Sequence, residues 1–109
     1  MRYYISGPMT GHEDANYRYF TKVCEILRKY EYNIFSPHEI PIQQSYEDCI
    51  KIDIRLLTSC DAIIMLPGWV FSKGAMLEFQ VAVGLSLPVY FYNDMAELKS
   101  HILLEMGHR

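Results

Sequence analysis

The sequence predicts an α/β fold: a three-layer α/β/α sandwich around a mainly parallel sheet of four to five strands. Three observations carry that reading. Short apolar runs of strand length alternate with longer segments of helical period along the whole chain. The run Ala62-Ile63-Ile64-Met65-Leu66 is apolar without alternation, as a strand covered on both faces must be. Pro67-Gly68 then stops it, and after Gly74 a helical pattern takes over.

Taken in order, residues 2–5 read as a first short strand and Ser6-Gly7-Pro8-Met9-Thr10-Gly11 as a glycine-punctuated loop. A helix over about residues 16–30 puts Phe20, Val23, Cys24, Leu27 and Tyr30 on one face. Asn33-Ile34-Phe35 is a second strand, ended by Ser36-Pro37. Residues 45–58 form a second helix, 61–66 a third strand, 74–86 a third helix, 88–92 a fourth strand and 95–106 a final helix. Strand–helix alternation of this kind gives parallel strands, right-handed crossovers and helices on both faces, the flavodoxin/Rossmann-like arrangement.

No linker, repeat or low-complexity segment interrupts the 109 residues, so they read as one domain. A chain of this length buries about 65% of its unfolded surface, a small core, so a closed pocket calls for a second subunit. Half the residues are hydrophobic and nine are tyrosines, which excludes a disordered chain. A net charge of −3 argues against a surface that tracks nucleic-acid phosphates. Cys24, Cys49 and Cys60 are odd in number and lie in helix or strand contexts, so they read as reduced core residues of a cytoplasmic protein. With no Cys-x-x-Cys or His-x-x-x-His pair, zinc is not expected. The start, Met1-Arg2-Tyr3-Tyr4-Ile5-Ser6-Gly7-Pro8, lacks a signal peptide's apolar stretch, and no run approaches membrane-spanning length.

Two acids stand out. Glu78 shares a helical face with Val81, Ala82 and Leu85, and Asp53 falls within the stripe of Ile50, Ile54 and Leu57. An acid in an inward stripe caps a helix, meets a buried base or does chemistry, because an idle buried carboxylate is costly. Two such acids beside a strand-end loop suggest paired carboxylate chemistry. Ligands of parallel sheets bind beyond the carboxyl ends of the strands, where that loop lies. In the first loop, Gly7 and Gly11 flank a strand-to-helix passage whose N–H groups can hold an anion. The Gly-Lys-Ser/Thr of a Walker motif and the Gly-x-Gly-x-x-Gly of dinucleotide folds are both missing, so ATPase and dinucleotide readings lose support.

Tyr4-Ile5-Ser6-Gly7, then Asp53 eight residues before Asp61, then Ser72-Lys73-Gly74-Ala75-Met76-Leu77-Glu78 resemble the nucleoside 2-deoxyribosyltransferase superfamily. The likeness is greatest to its 2'-deoxynucleoside 5'-phosphate N-hydrolase branch and runs from Tyr4 to about Ser100. It implies that Glu78 attacks the anomeric carbon of a deoxyribose, that Asp53 is the general acid towards the departing base, and that Tyr4 orients Glu78. As a plain sequence feature, Tyr4 reads equally as a sheet-core tyrosine.

Ser72 discriminates within that superfamily. At its position the transferases of free nucleosides carry an acid, which would repel a phosphate, whereas the monophosphate hydrolases carry a serine that donates to it. The resemblance thus implies a small-molecule nucleotide substrate bound by Ser72 and Gly74, with Ser6 and Gly7 in the rest of the phosphate cradle. Ser100 falls near a family serine that reaches the phosphate from the neighbouring subunit, although two residues of the preceding loop are missing here. His38 lies where relatives often have a pocket histidine, and as a lone loop histidine it also reads as a surface residue. Met9 and Thr10 stand where the hydrolases have an Arg, and Lys73 is either a substitute charge or an exposed helix-start lysine. His12, Glu13 and Asp14 read as loop and helix-start polar residues. Trp69 and Phe71 read either as a stacking surface for a base or as a subunit contact. The final strand and helix of longer members do not follow Met106, an open edge that pairing into a homodimer or larger would cover.

The activity implied is hydrolysis of the N-glycosidic bond of a 2'-deoxynucleoside 5'-monophosphate, without metal or organic cofactor, nucleic-acid polymer or membrane. The alternatives are a non-catalytic binder of a nucleotide or nucleotide-derived signal, and a deoxyribosyltransferase in which a second base accepts the sugar.

Overall fold

The computed structural model describes residues 1–8, 17–41, 45–91 and Glu97. Within them the chain runs β1 (Arg2–Ser6), α1 (Tyr17–Lys29), β2 (Asn33–Phe35), α2 (Tyr46–Thr58), β3 (Ala62–Met65), α3 (Lys73–Gly84) and β4 (Val89–Phe91). Single 3-10 turns, Pro37–Glu39 and Trp69–Phe71, follow β2 and β3. Apart from Glu97, the helix expected over 95–106 lies outside the described residues, as do Met9, Thr10, Gly11, His12, Glu13, Asp14 and Ser100.

The four strands form one parallel sheet in the order β2-β1-β3-β4, with Tyr4 level with Phe35 on one side and Ile63 on the other. Residues two apart on a strand share a face, and the core divides accordingly. Ile5, Ile64 and Leu66 meet Phe20, Val23, Cys24 and Leu27 of α1 on one face. Tyr4, Ile63 and Met65 meet Leu57 of α2 and Ala75 and Ala82 of α3 on the other. The result is the expected three-layer α/β sandwich. Its chain order reverses between β1 and β3, and parallel sheets hold their ligands in a crevice beyond the strand ends at such a switch point.

Local chemistry sets the ends. Ser45 caps α2 by accepting from the Asp48 amide at 3.1 Å, and Glu47 and Asp48 lie in the first turn, where acids favour the helix dipole. Ser72 caps α3 by accepting from the Ala75 amide at 3.2 Å. After α1 and after α3 the chain turns through left-handed residues, Glu31 (φ 68°) and Ser86 (φ 58°), each followed by an amide that bonds five residues back, Tyr32 to Leu27 and Leu87 to Ala82. The bidentate Arg28–Glu39 ion pair, at 2.6 and 2.8 Å, joins the end of α1 to the turn after β2.

Leu85 departs from expectation. It belongs on the inward stripe by spacing, yet it is 51% exposed, because α3 ends at Gly84 and Leu85 is the residue on which the helix turns off. Cys49, expected in the core, is only partly buried, while Cys24 and Cys60 are buried, and all three are free thiols. Among the described residues no helix is long and apolar enough to cross a membrane.

Candidate active site

β1 extends one residue further than the apolar pattern suggests, to Ser6, which brings Tyr4 and Ser6 onto the same face of a central strand. Both side chains are fully buried and both point to α3. There Glu78, 4% exposed, accepts a hydrogen bond on each oxygen: Tyr4 Oη donates to Oε2, and Ser6 Oγ donates to Oε1 at 2.7 Å. The carboxylate therefore sits at the carboxyl end of β1, at the switch point, tied to the sheet by two hydroxyls.

Burial is the main influence on its proton affinity. It lifts the Glu78 carboxyl to about 7, with the Tyr4 and Ser6 hydrogen bonds working the other way and the charge of Asp53 adding to the rise. Asp53, half-buried on α2, is itself pushed up to about 6 by desolvation. The Tyr4 phenol is raised well above its ordinary value, first by burial and then by the charges of Glu78 and Asp53, so it stays a donor. Tyr46, in the first turn of α2, is raised by burial and then by Glu78, Glu47 and Asp53. Two carboxyls thus hold protons near neutrality, and the charge of Asp53 reaches both Glu78 and the Tyr4 phenol, a constellation suited to proton transfer.

The remaining sequence candidates arrange themselves around this centre. Ser6, read from sequence as part of a phosphate cradle, is enclosed, with its hydroxyl on Glu78. Gly7 follows it, and a Cβ there would stand 2.9 Å from Leu66 Cβ, so the close approach of the chains leaving β1 and β3 admits only glycine. Gly74, at the start of α3, is less tightly enclosed, since a Cβ there would stand 3.3 Å from Ile50 Cδ1, the end of a flexible side chain on α2. Ser72 uses an oxygen lone pair in its cap and keeps its O–H hydrogen. Lys73 lies over the Tyr46 ring, Nζ 5.6 Å from its centre.

His38 is partly buried. Its Nδ1 meets the Ser36 hydroxyl, its Nε2 lies 3.3 Å from Thr21 Oγ1, and its ring packs on Phe20. Desolvation lowers its proton affinity, so the neutral ring is favoured. The structure also separates Trp69 from Phe71. Trp69 packs within the chain against Phe79 and Phe91, at 4.8 and 5.7 Å between ring centres, whereas Phe71 is 91% exposed. Sequence reasoning missed Ser6 as a partner of Glu78. The signal was available in the period of two that places it beside Tyr4.

A family model described as a domain of unknown function, DUF4406, matches residues 1–91. The chain belongs to the DUF4406 family. Among solved structures, this DUF4406 chain is similar to the 2-deoxyribosyltransferase of Bacillus psychrosaccharolyticus, with a TM-score of 0.66 and 22% identity over 84% of this chain and 71% of that one. It is also similar to a 2-deoxyribosyltransferase of Leishmania mexicana, with a TM-score of 0.67 and 24% identity over 84% of this chain. It spans 63% of the length of that Leishmania protein. At these identities the likeness is one of fold. A comparison with curated proteins gives no match.

Proposed function

We propose that this DUF4406 protein is an N-glycosidase that hydrolyses a 2'-deoxynucleoside 5'-monophosphate to free base and deoxyribose 5-phosphate. The observation that carries the proposal is the Glu78 carboxylate, buried at the carboxyl end of the sheet, hydrogen-bonded by Tyr4 and Ser6 and coupled to the charge of Asp53. A carboxylate so enclosed is held for chemistry on an electrophile that enters the crevice.

In the first step a Glu78 oxygen forms a bond to C1' of the sugar as the C1'–N bond breaks. The bond's electron pair leaves with the base, which takes the proton of Asp53. In the second step water attacks C1', its proton goes to the Asp53 carboxylate, and the electron pair of the C1'–O bond returns to Glu78. Tyr4 fixes the nucleophile throughout, its phenol remaining protonated. The single proton that the carboxyl pair needs is supplied by their own raised affinities, about 6 and about 7, which leave the pair partly protonated at neutral pH. Ser72, as cap of α3 with a hydroxyl hydrogen to give, is the residue expected to meet the 5'-phosphate. In this proposal a second copy, in a homodimer or larger assembly, contributes to the pocket.

A second reading has support of its own. The two solved structures named above are of 2-deoxyribosyltransferases, and the same glycosyl-enzyme passes its sugar to a base where a base, not water, reaches C1'. Incubation with a panel of deoxynucleoside monophosphates, and with the free nucleosides, tests the proposal by chromatography of the released base. Release of base from a monophosphate without an acceptor supports hydrolysis. Release only when a second base is added favours transfer, and no release from any member contradicts both.

A further inference from the structure

Ser6 has no part in the two-carboxylate scheme above, yet it is fully buried and its hydroxyl donates to Glu78 at 2.7 Å. Tyr4 alone would fix one oxygen of the carboxylate. With Ser6 on the other, both oxygens are held from one strand, and rotation about the last bond of the Glu78 side chain would break two bonds at once. We propose that Ser6 is a positioning residue that acts through Glu78: its hydrogen bond to Oε1 stabilises the carboxylate as it departs from the sugar, and so speeds breakdown of the glycosyl-enzyme. The inference rests on the N-glycosidase reading.

The charge on Glu78 changes through the two steps. In the covalent intermediate Glu78 is a neutral ester, a poor acceptor for a hydroxyl. As water attacks C1' and the C1'–Oε bond breaks, the electron pair returns to the carboxylate and the Ser6 hydrogen bond becomes charge-assisted. Only interactions that strengthen towards the transition state accelerate a step, and this one strengthens in the second step. In the first step the same bond weakens as the charge is consumed, so Ser6 favours turnover over accumulation. The direction agrees with the electrostatics of the free site, where the Ser6 hydrogen bond lowers the proton affinity of Glu78 against the effect of burial. The other groups that face Glu78 electrically are Tyr4 on β1 and Asp53 and Tyr46 on α2, and all three remain when Ser6 is changed.

The test uses Ser6→Ala, which fits a strand and removes only the hydroxyl, with Ser6→Thr as the variant that restores it. First, the Glu78 carboxyl is titrated by NMR with carbon-13-labelled glutamate and no substrate. Its midpoint should rise by about one unit in Ser6→Ala, a tenfold change in proton affinity, and return towards wild type in Ser6→Thr. Second, quenched reactions are analysed by mass spectrometry. In Ser6→Ala base release should show a burst, followed by turnover about tenfold slower than wild type, with glycosyl-enzyme accumulating. An unchanged Glu78 midpoint, or slowed turnover without accumulated intermediate, overturns the inference. Failure of the glycosidase reading is distinguishable: wild type then releases no base from any substrate, which overturns the catalytic half, while the substrate-free titration still decides whether Ser6 holds the charge of Glu78.

Discussion

The charge of Asp53 on α2 pushes up the proton affinity of Glu78 on α3, although the two carboxyls stand on different helices. Burial is the larger influence, setting the levels of about 6 for Asp53 and about 7 for Glu78. The proton of a singly protonated pair thus favours Glu78 in the free protein, and the reaction needs it on Asp53.

That requirement gives the rate a bell-shaped dependence on pH. Below the acid limb both carboxyls are protonated and no nucleophile exists; above the alkaline limb both are ionised and no acid remains. With affinities of about 6 and about 7, kcat/KM should peak between them. Asp53→Asn should lower the rate by roughly 10²–10⁴-fold and abolish the alkaline limb. Initial rates from pH 4.5 to 9 check it, and an alkaline limb that survives in Asp53→Asn would mean that another group supplies the proton.

Stability should carry the same signature. The Glu78 carboxyl is raised in the folded protein from 4.5 to about 7, so its contribution is fully present below pH 4.5 and is lost as pH rises through about 7. Glu78→Gln is a neutral side chain of the same shape and escapes that loss. Its stability relative to wild type should grow by about 1–3 kcal/mol between pH 4.5 and pH 8. Urea midpoints at the two pH values measure this, and parallel behaviour of the two proteins would mean that Glu78 is not held against its charge.

Gly7→Ala tests the close approach of the chains beyond β1 and β3. With Leu66 Cβ only 2.9 Å from the added carbon, the end of β3 must shift, at a cost of about 1–3 kcal/mol. A denaturation midpoint equal to wild type would show that the contact yields freely.

Much of this was legible in the chain itself. The strands follow from their apolar runs, and α2 and α3 begin where Ser45 and Ser72 offer caps. Glu78 and Asp53 were visible as acids in apolar stripes, since periodicity alone says which face a residue joins. What periodicity does not carry is contact between distant elements. The meeting of Tyr4 and Ser6 with a helix more than seventy residues on depends on strand order and on where β1 ends. The His38 contact with Thr21 depends likewise on α1 packing beside β2. Trp69 and Phe71 looked alike in sequence, but in a 3-10 turn side chains two apart point in different directions, one onto Phe79 and one into solvent. Leu85 misled because a helical face has meaning only as far as the helix extends.

Ser72→Asp separates a nucleotide enzyme from a nucleoside enzyme without disturbing the fold. Aspartate caps a helix as well as serine does, so α3 should keep its start, while the added charge opposes a 5'-phosphate. The variant should lose preference for the monophosphate over the free nucleoside by roughly 10-fold or more, since charge-assisted hydrogen bonds contribute about 1.5–3 kcal/mol each. Paired kcat/KM values on one base measure it, and an unchanged ratio would remove Ser72 from the phosphate site.

In the proposed mechanism Glu78 becomes covalently attached to the sugar. Acid-quenched reactions with a deoxynucleoside 5'-monophosphate, digested and mapped by mass spectrometry, test it most directly. A deoxyribose 5-phosphate ester is expected on the peptide that contains Glu78 and should be absent in Glu78→Gln. An adduct on any other residue, or undiminished base release by Glu78→Gln, would contradict it.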